Sequence, residues 1–314
     1  MGNEKIVTGR PKNHGEDEKH MKKICAQCGN EFETERSSRK YCSTACFQAA
    51  TKMTSRTTKT REDRILVELH SDVPITIAVL ADAHNNMDYI DWFVDEVLKH
   101  DNWYVMINGD LWDADQYSSH PTMTVKPLSQ SVQDVKTALL PIADRLIGFV
   151  WGNHEERCFR SGSGKGTMPS YFDIFFEAIK AKNPKFQIAE PMQSFIIDVT
   201  VKDKSWKILF KHGKSAGKTF GVMEFHEVSD VNENIDAVVL SHLHLPLHII
   251  VKRVGTKSVE EAYKEGNTEG KIIHYIRTTS GIAFAPYQDK ANFYVSPLGI
   301  TKLLFNSELK VELI

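Results

Sequence analysis

The chain has 314 residues, of which 41% are hydrophobic and 25% charged, and carries a formal net charge of −2. That length suits one large domain plus a small one, because single domains usually run to about 100–200 residues. No window approaches the roughly 18 apolar residues of a membrane helix, and Met1 to Arg10 has no apolar core of the kind a signal peptide needs, so a soluble, cytoplasmic protein with no membrane contact is expected.

Residues 1–23 mix Gly, Asn, Lys and Glu without apolar periodicity, which predicts a disordered N-terminus. A cysteine module follows at 24–50. The polar, Thr-rich run TKMTSRTTKTREDR then predicts a linker over 51–66, and one large domain is expected over 67–314. Charge divides along the same line: residues 1–64 hold 14 Lys/Arg against 9 Asp/Glu, a local +5 that leaves −7 for the rest. A modestly basic segment is compatible with a polyanionic partner and equally with a solvated tail.

Within the large domain, ITIAVLA (75–81) and WYVMI (103–107) read as buried strands around a helical stretch at 87–99, a βαβ unit. A helix at 132–145, a strand at 146–151 and a helix at 171–181 repeat the pattern. Strands then dominate, at 195–201, 206–211, 237–240, 247–254, 272–278 and 303–305, with a protruding turn expected at 255–270. The fold class is α/β.

Polar residues of metal-binding type recur where apolar runs end, the place where open α/β sheets put ligand sites. Asp82-Ala83-His84 follows the first strand, Gly109-Asp110-Leu111-Trp112-Asp113 the second, and Gly152-Asn153-His154-Glu155 the third. Lys211-His212-Gly213 and Ser241-His242-Leu243-His244 follow two later ones. One histidine at a strand end is more often a hydrogen-bonded structural residue than a ligand, but five ordered sets do not arise by coincidence. Carboxylates and neutral imidazoles suit divalent Mn, Fe or Zn, and a carboxylate can bridge two cations.

Cys25-x2-Cys28 and Cys42-x3-Cys46 have the paired spacing of a four-thiolate structural zinc site. Disulfides are the competing reading, and a cytoplasmic setting argues against them. Cys158 stands alone and reads as a small buried residue. Gly213–Thr219 (GKSAGKT) has three residues between its glycines where a P-loop needs four, so its lysines are read at most as substrate contacts near His212. His70, His100, His120, His226, His248 and His274 fall outside the five sets and read as structural or surface residues, with His120 the one exception considered.

The ordered series D-x-H, G-D-x-x-D, G-N-H-E, H-G and H-x-H resembles the calcineurin-like metallophosphoesterase superfamily over about residues 70–305. The resemblance implies a β-sandwich flanked by helices. It also implies that Asp82, His84 and His244 hold one divalent cation and Asn153, His212 and His242 a second, with Asp110 bridging. His154 then protonates the leaving oxygen, oriented by Asp113. Such cation pairs activate a water and stabilise phosphoryl charge. Mn is the metal expected, with Fe or Zn as alternatives. One departure is Ser241, in place of the glycine common before the last pair, which alters loop flexibility and removes no ligand.

The cysteine segment resembles small zinc-ribbon-like modules found on nucleic-acid enzymes, and also on protein-docking and purely structural elements. Arg36, Arg39 and Lys40, between the cysteine pairs, are the candidate phosphate contacts. The reading is a dimetal phosphoesterase acting on nucleic-acid phosphodiesters, a DNA- or RNA-binding nuclease. The alternative is a phosphatase of phosphoproteins or small phosphomonoesters, against which Asp113-Ala114-Asp115 lacks the Arg-Gly that follows the aspartate in the protein-phosphatase subfamily.

Overall fold

A computed structural model describes residues 21–26, 28–34, 39–43, 46, 54–59, 64–113, 126–160, 170–191, 193–213, 224–225, 234–253, 271–282 and 298–314. Arg36, His120, His226, Ala114, Asp115, the loop at 214–219 and the turn expected at 255–270 lie outside them, as do residues 1–20. The chain separates into two compact units, Met1–Ala50 and Thr51–Ile314.

In the first unit β1 (Met21–Ile24) and β2 (Glu31–Thr34) form an antiparallel hairpin, Met21 opposite Thr34. Residues 21–23, placed by the sequence reading in a disordered tail, are therefore part of a strand. Their period-2 alternation of half-buried Met21 and Lys23 with exposed Lys22 and Ile24 is too short to register as a pattern in sequence. Gly29 supplies the left-handed residue of the turn, at φ 73°.

The second unit begins with β3 (Thr54–Lys59) paired antiparallel to β4 (Arg64–Ser71). The expected linker at 51–66 is thus partly sheet: a Thr-rich run is polar but β-branched, and it extends an edge that tolerates polar residues. Next come β5 (Ile75–Leu80), α1 (Met87–Leu98), β6 (Trp103–Asn108) and α2 (Leu128–Leu139). A 3-10 turn at Leu140–Arg145 follows α2. The single helix expected at 132–145 breaks there because Pro141 cannot continue the α-helical hydrogen bonds.

β7 (Leu146–Val150), α3 (Asn153–Arg160), α4 (Ser170–Lys182), β8 (Gln187–Ile188), β9 (Ser194–Val201) and β10 (Lys204–Lys211) continue the chain. β11 (Ala237–Leu240), β12 (Leu247–Arg253), β13 (Lys271–Arg277), β14 (Thr301–Phe305) and β15 (Leu309–Leu313) complete it. The strands form a seven-stranded sheet, β12-β13-β11-β10-β9-β4-β3, and a six-stranded sheet, β15-β14-β5-β6-β7-β8. Among the described residues no helix is long and apolar enough to cross a membrane.

The two sheets face each other. Gly148 of β7 lies so close to the Phe195 ring of β9 that a Cβ would run into it, and Trp206 meets Phe305 with ring centres 5.7 Å apart. On its other face the six-stranded sheet is covered by helices, Phe93, Val97, Val132, Val135 and Phe175 packing on Ala78, Val105 and Phe149. Covered on both sides, β5, β6 and β7 are buried at every position, which is why they read as unbroken apolar runs. β5, β6 and β7 are mutually parallel, as are β10 and β11. Parallel strands end on one edge, and a hydrogen bond from Asn108 Nδ2 to the Lys211 carbonyl at 3.3 Å joins that edge across the sheets.

Candidate metal centre

The loops that follow these five strands carry the five motifs. Asp82 and His84 leave β5, Asp110 leaves β6, Asn153 and His154 open α3 after β7, His212 follows β10, and His242 and His244 follow β11. The backbone is forced there: Asp82, His84, Asp110, His242 and His244 all have positive φ, between 46° and 82°. Non-glycine residues adopt this region at a cost of order 1–3 kcal/mol each, and such strain collects at functional sites. Glycines fill the tightest points. A Cβ on Gly109 would strike the His212 ring, and one on Gly152 would overlap the Asp110 carboxylate.

Three side-chain groups bring their ligand atoms within 4.8 Å of one another: Asp82, His84 and His244; Asp110, His212 and His242; and His84, Asp110 and His154. Asp110 belongs to two of them. Its Oδ2 is 3.1 Å from His212 Nε2, 3.9 Å from His84 Nε2 and 4.0 Å from His154 Nε2. Asp82 accepts the His242 backbone N–H through both oxygens at 3.1 Å and lies 3.6 Å from His244 Nε2. By distance alone His154 belongs with the ligands. What sets it apart is Asp113, whose Oδ1 takes the His154 Nδ1 proton at 2.9 Å.

The donor set fits divalent cations. The Asn153 amide reaches the same cluster: one of its two terminal atoms lies 3.1 Å from His212 Nε2, 3.1 Å from Asp110 Oδ2 and 2.8 Å from His242 Nδ1, and the other lies 3.1 Å from Arg157 Nη2. His84 and His244 aim Nε2 at Nε2 across 3.3 Å. Burial, then neighbouring His154, pushes His84 down to about 3, and burial, then His212, pushes His242 down to about 4, so both rings stay neutral and keep the lone pair a metal needs. Burial would raise the Asp110 carboxyl, but His212 and His154 outweigh it and hold the group well below the usual range. Burial likewise lowers His212, yet the Asp110 carboxylate wins and lifts it to about 10, so a proton and a cation compete for its Nε2.

Three supporting residues escaped the sequence reading. Glu155, fully buried, accepts the backbone N–H groups of Asp110 and Gly152 through Oε2 (3.0 and 2.9 Å) and that of Trp112 through Oε1 (3.0 Å), tying the second and third motifs together. Burial and then the Asp110 charge raise its carboxyl to about 7. Its place in G-N-H-E was the only signal. Ser241 does more than change a loop: its hydroxyl hydrogen-bonds the Asn108 carbonyl at 2.5 Å and lies 2.9 Å from His212 Nδ1. The Asn108 carbonyl also accepts from His212 Nδ1 at 3.0 Å, which turns Nε2 toward Asp110.

In the first unit Cys25, Cys28, Cys42 and Cys46 bring their sulfurs within 4.8 Å, with Cys28–Cys42 at 3.6 Å and Cys42–Cys46 at 3.4 Å. Tetrahedral zinc with bonds of about 2.3 Å spaces its sulfurs by about 3.8 Å. Hydrogen bonding with Cys46, then Cys28 and Cys25, pushes the Cys42 thiol up to about 12. Arg39 is half-buried and makes contacts within the module. Its Nε donates to the Tyr41 carbonyl at 3.0 Å, Nη2 to the Cys42 carbonyl at 2.8 Å, and its guanidinium lies 5.5 Å from the centre of the Phe32 ring. Lys40 is exposed.

Residues 75–246, more than half of the chain, match the family model described as calcineurin-like phosphoesterase. No curated protein sequence matches the chain significantly. Among solved structures, an archaeal phosphodiesterase is similar at 14% identity and a TM-score of 0.39, over 76% of this chain and 100% of that one. YfcE, a phosphoesterase from E. coli, is similar at 14% identity and a TM-score of 0.38, over 73% and 91%. A metallophosphoesterase from Sphaerobacter thermophilus follows at 12% identity and a TM-score of 0.35, over 76% and 88%. At such scores the family match carries the assignment by itself: the chain belongs to the calcineurin-like phosphoesterases, metal-dependent hydrolases of phosphoesters.

Proposed function

We propose that the enzyme cleaves phosphodiester bonds in nucleic acid, with Mn as its working metal. Asp82, His84 and His244 hold one cation and Asn153, His212 and His242 the other, Asp110 lying between them. The observation that carries the ligand reading is the clustering of Asp82, His84 and His244, and of Asp110, His212 and His242, each with its ligand atoms within 4.8 Å of one another. Two divalent cations there supply an activated water and charge stabilisation on the phosphoryl oxygens. The chain supplies the rest. Asp113 fixes the His154 tautomer, leaving Nε2 to hand a proton to the departing oxygen. Burial lowers that imidazole's pKa, but Asp110 and Asp113 outweigh it and raise it above the ordinary histidine value, which favours the proton-donating form.

Nucleic acid is favoured by the pairing of this domain with a four-cysteine module, in which Cys25, Cys28, Cys42 and Cys46 bind one structural zinc. The test uses full-length, Mn-loaded protein with a diester reporter, a monoester reporter, and labelled single- and double-stranded DNA and RNA. Diester and polymer cleavage well above monoester turnover is expected; the reverse order would replace the nuclease by a phosphatase. Zinc should persist at one per chain when the catalytic metals are exchanged, and Cys42→Ser should lose it.

One observation favours a protein partner for the module instead. Lys22 is ion-paired to Glu31 at 3.4 Å and Arg39 is engaged internally, while Ile24 is 73% exposed between them and the turn. Removing residues 1–60 discriminates: a nucleic-acid grip lost this way lowers polymer cleavage and flattens its salt dependence, by about one unit of log-log slope per phosphate contact, while leaving the small diester untouched. Equal cleavage of every polymer by both forms would assign the module to protein docking.

A further inference from the structure

The Asn153 amide has two exclusive orientations. With Oδ1 toward His212, Asp110 and His242, its Nδ2 lies 3.1 Å from Arg157 Nη2, donor against donor. Turned over, Nδ2 donates to those three groups and Oδ1 accepts from Arg157. The one oxygen serves either a cation or the guanidinium. Arg157 sits on α3 one turn beyond His154, partly buried, with Nη1 3.5 Å from His154 Nδ1. That nitrogen's proton already goes to Asp113. Among the described residues Arg157 has no carboxylate at ion-pair distance, so its positive charge stands beside His154 and the Asn153 amide.

We infer that Arg157 contacts the substrate's phosphate group: once Asn153 Oδ1 is turned to a cation, Arg157 and Asn153 Nδ2 present adjacent N–H groups to one non-bridging phosphoryl oxygen. The planar fork of a guanidinium suits phosphate, and an anion is the acceptor that two facing donors lack. A cation that took Asn153 Oδ1 would leave the arginine available to phosphate. The inference rests on the ligand reading of Asn153 given above and adds a contact that reading does not contain.

Calorimetric titration of inorganic phosphate into full-length, Mn-saturated protein tests it. Arg157→Ala should weaken phosphate binding by about tenfold to a hundredfold, the size of a charge-assisted hydrogen bond, with Mn content unchanged. KM for a diester reporter should rise by a similar factor, with kcat changing less. Arg157→Lys keeps the charge without the fork and should fall between, which also decides the matter if the alanine variant does not fold. Wild-type phosphate affinity in both variants at saturating Mn overturns the inference. So does loss of Mn without loss of phosphate affinity, which would make Arg157 a brace for the Asn153 amide. Because binding is read without turnover, a wild type that cleaves no diester defeats the nuclease reading and leaves this result standing on its own.

Discussion

Among the described residues nitrogen meets nitrogen in two histidine pairs. His84 and His244 approach at 3.3 Å with rings at 63°, and His248 and His274 at 3.0 Å with rings nearly parallel, at 15°. The second pair sits on two regular neighbouring strands, β12 and β13, where side chains on one face meet as a matter of course. One ring donates and the other accepts, and nothing further is needed. The first pair is buried, set on left-handed backbone and flanked by Asp82 and Asp110. Two histidines in contact are thus an ordinary hydrogen bond until carboxylates and a constrained backbone surround them. Charge and strain mark a metal centre, and imidazole proximity alone does not.

Removing the charge should have the largest effect. Asp110→Asn leaves the shape but takes away the carboxylate shared by both sides, and turnover should drop to background with Mn, Fe or Zn while the circular dichroism stays native. Near wild-type activity in this variant would sink the dimetal reading. His154→Ala should come next, slowing the reaction by about 10²–10⁴ with both Mn ions retained. Lost metal occupancy in that variant would make His154 a ligand.

Ser241→Ala probes the layer behind the ligands. Outer partners of a metal-bound histidine typically contribute about 10–100-fold in affinity. Since the Asn108 carbonyl still holds His212 Nδ1, the Mn dissociation constant should rise by only about tenfold, and an unchanged titration would show that the hydroxyl is idle. The smallest effect belongs to the other histidine pair. His248→Gln should leave turnover and metal content untouched and alter only the acid side of the stability curve. Burial, joined for His274 by its neighbour, holds both rings below the ordinary histidine value. Their contribution is therefore complete above about pH 6.5 and is lost as the pH falls below it, because the unfolded chain then binds more protons. The variant's melting temperature should fall less steeply between about pH 6.5 and 5; an identical slope would place that proton uptake elsewhere.

The candidate ligands were legible in sequence because each follows a run apolar enough to be a buried strand, so residue type and topology coincide. Asp82, Asp110 and Asn153 fall where β5, β6 and β7 end. Cooperation across long sequence distances was not legible. Glu155 is one glutamate among many until its oxygens are found on the N–H groups of Asp110 and Trp112, more than 40 residues away. Ser241 acts on Asn108 across 133 residues. Sequence counts the charge of Arg39 and cannot see that two of its N–H groups reach the Tyr41 and Cys42 carbonyls. The β3–β4 hairpin was missed for the opposite reason, since polar Thr-rich segments become strands only when an edge is there to receive them.

His84 and His244 are 160 residues apart in the chain, and Asp82 and His242 likewise. Closing such separations costs loop entropy before the contacts reward it, so these residues meet only where both sheets are assembled. Two cations, one held by Asp82, His84 and His244 and one with His242 among its ligands, would recognise the assembled sandwich and not the unfolded chain, so each would act as a thermodynamic lock. Each tenfold rise in free metal above its dissociation constant adds about 1.4 kcal/mol to the apparent folding stability.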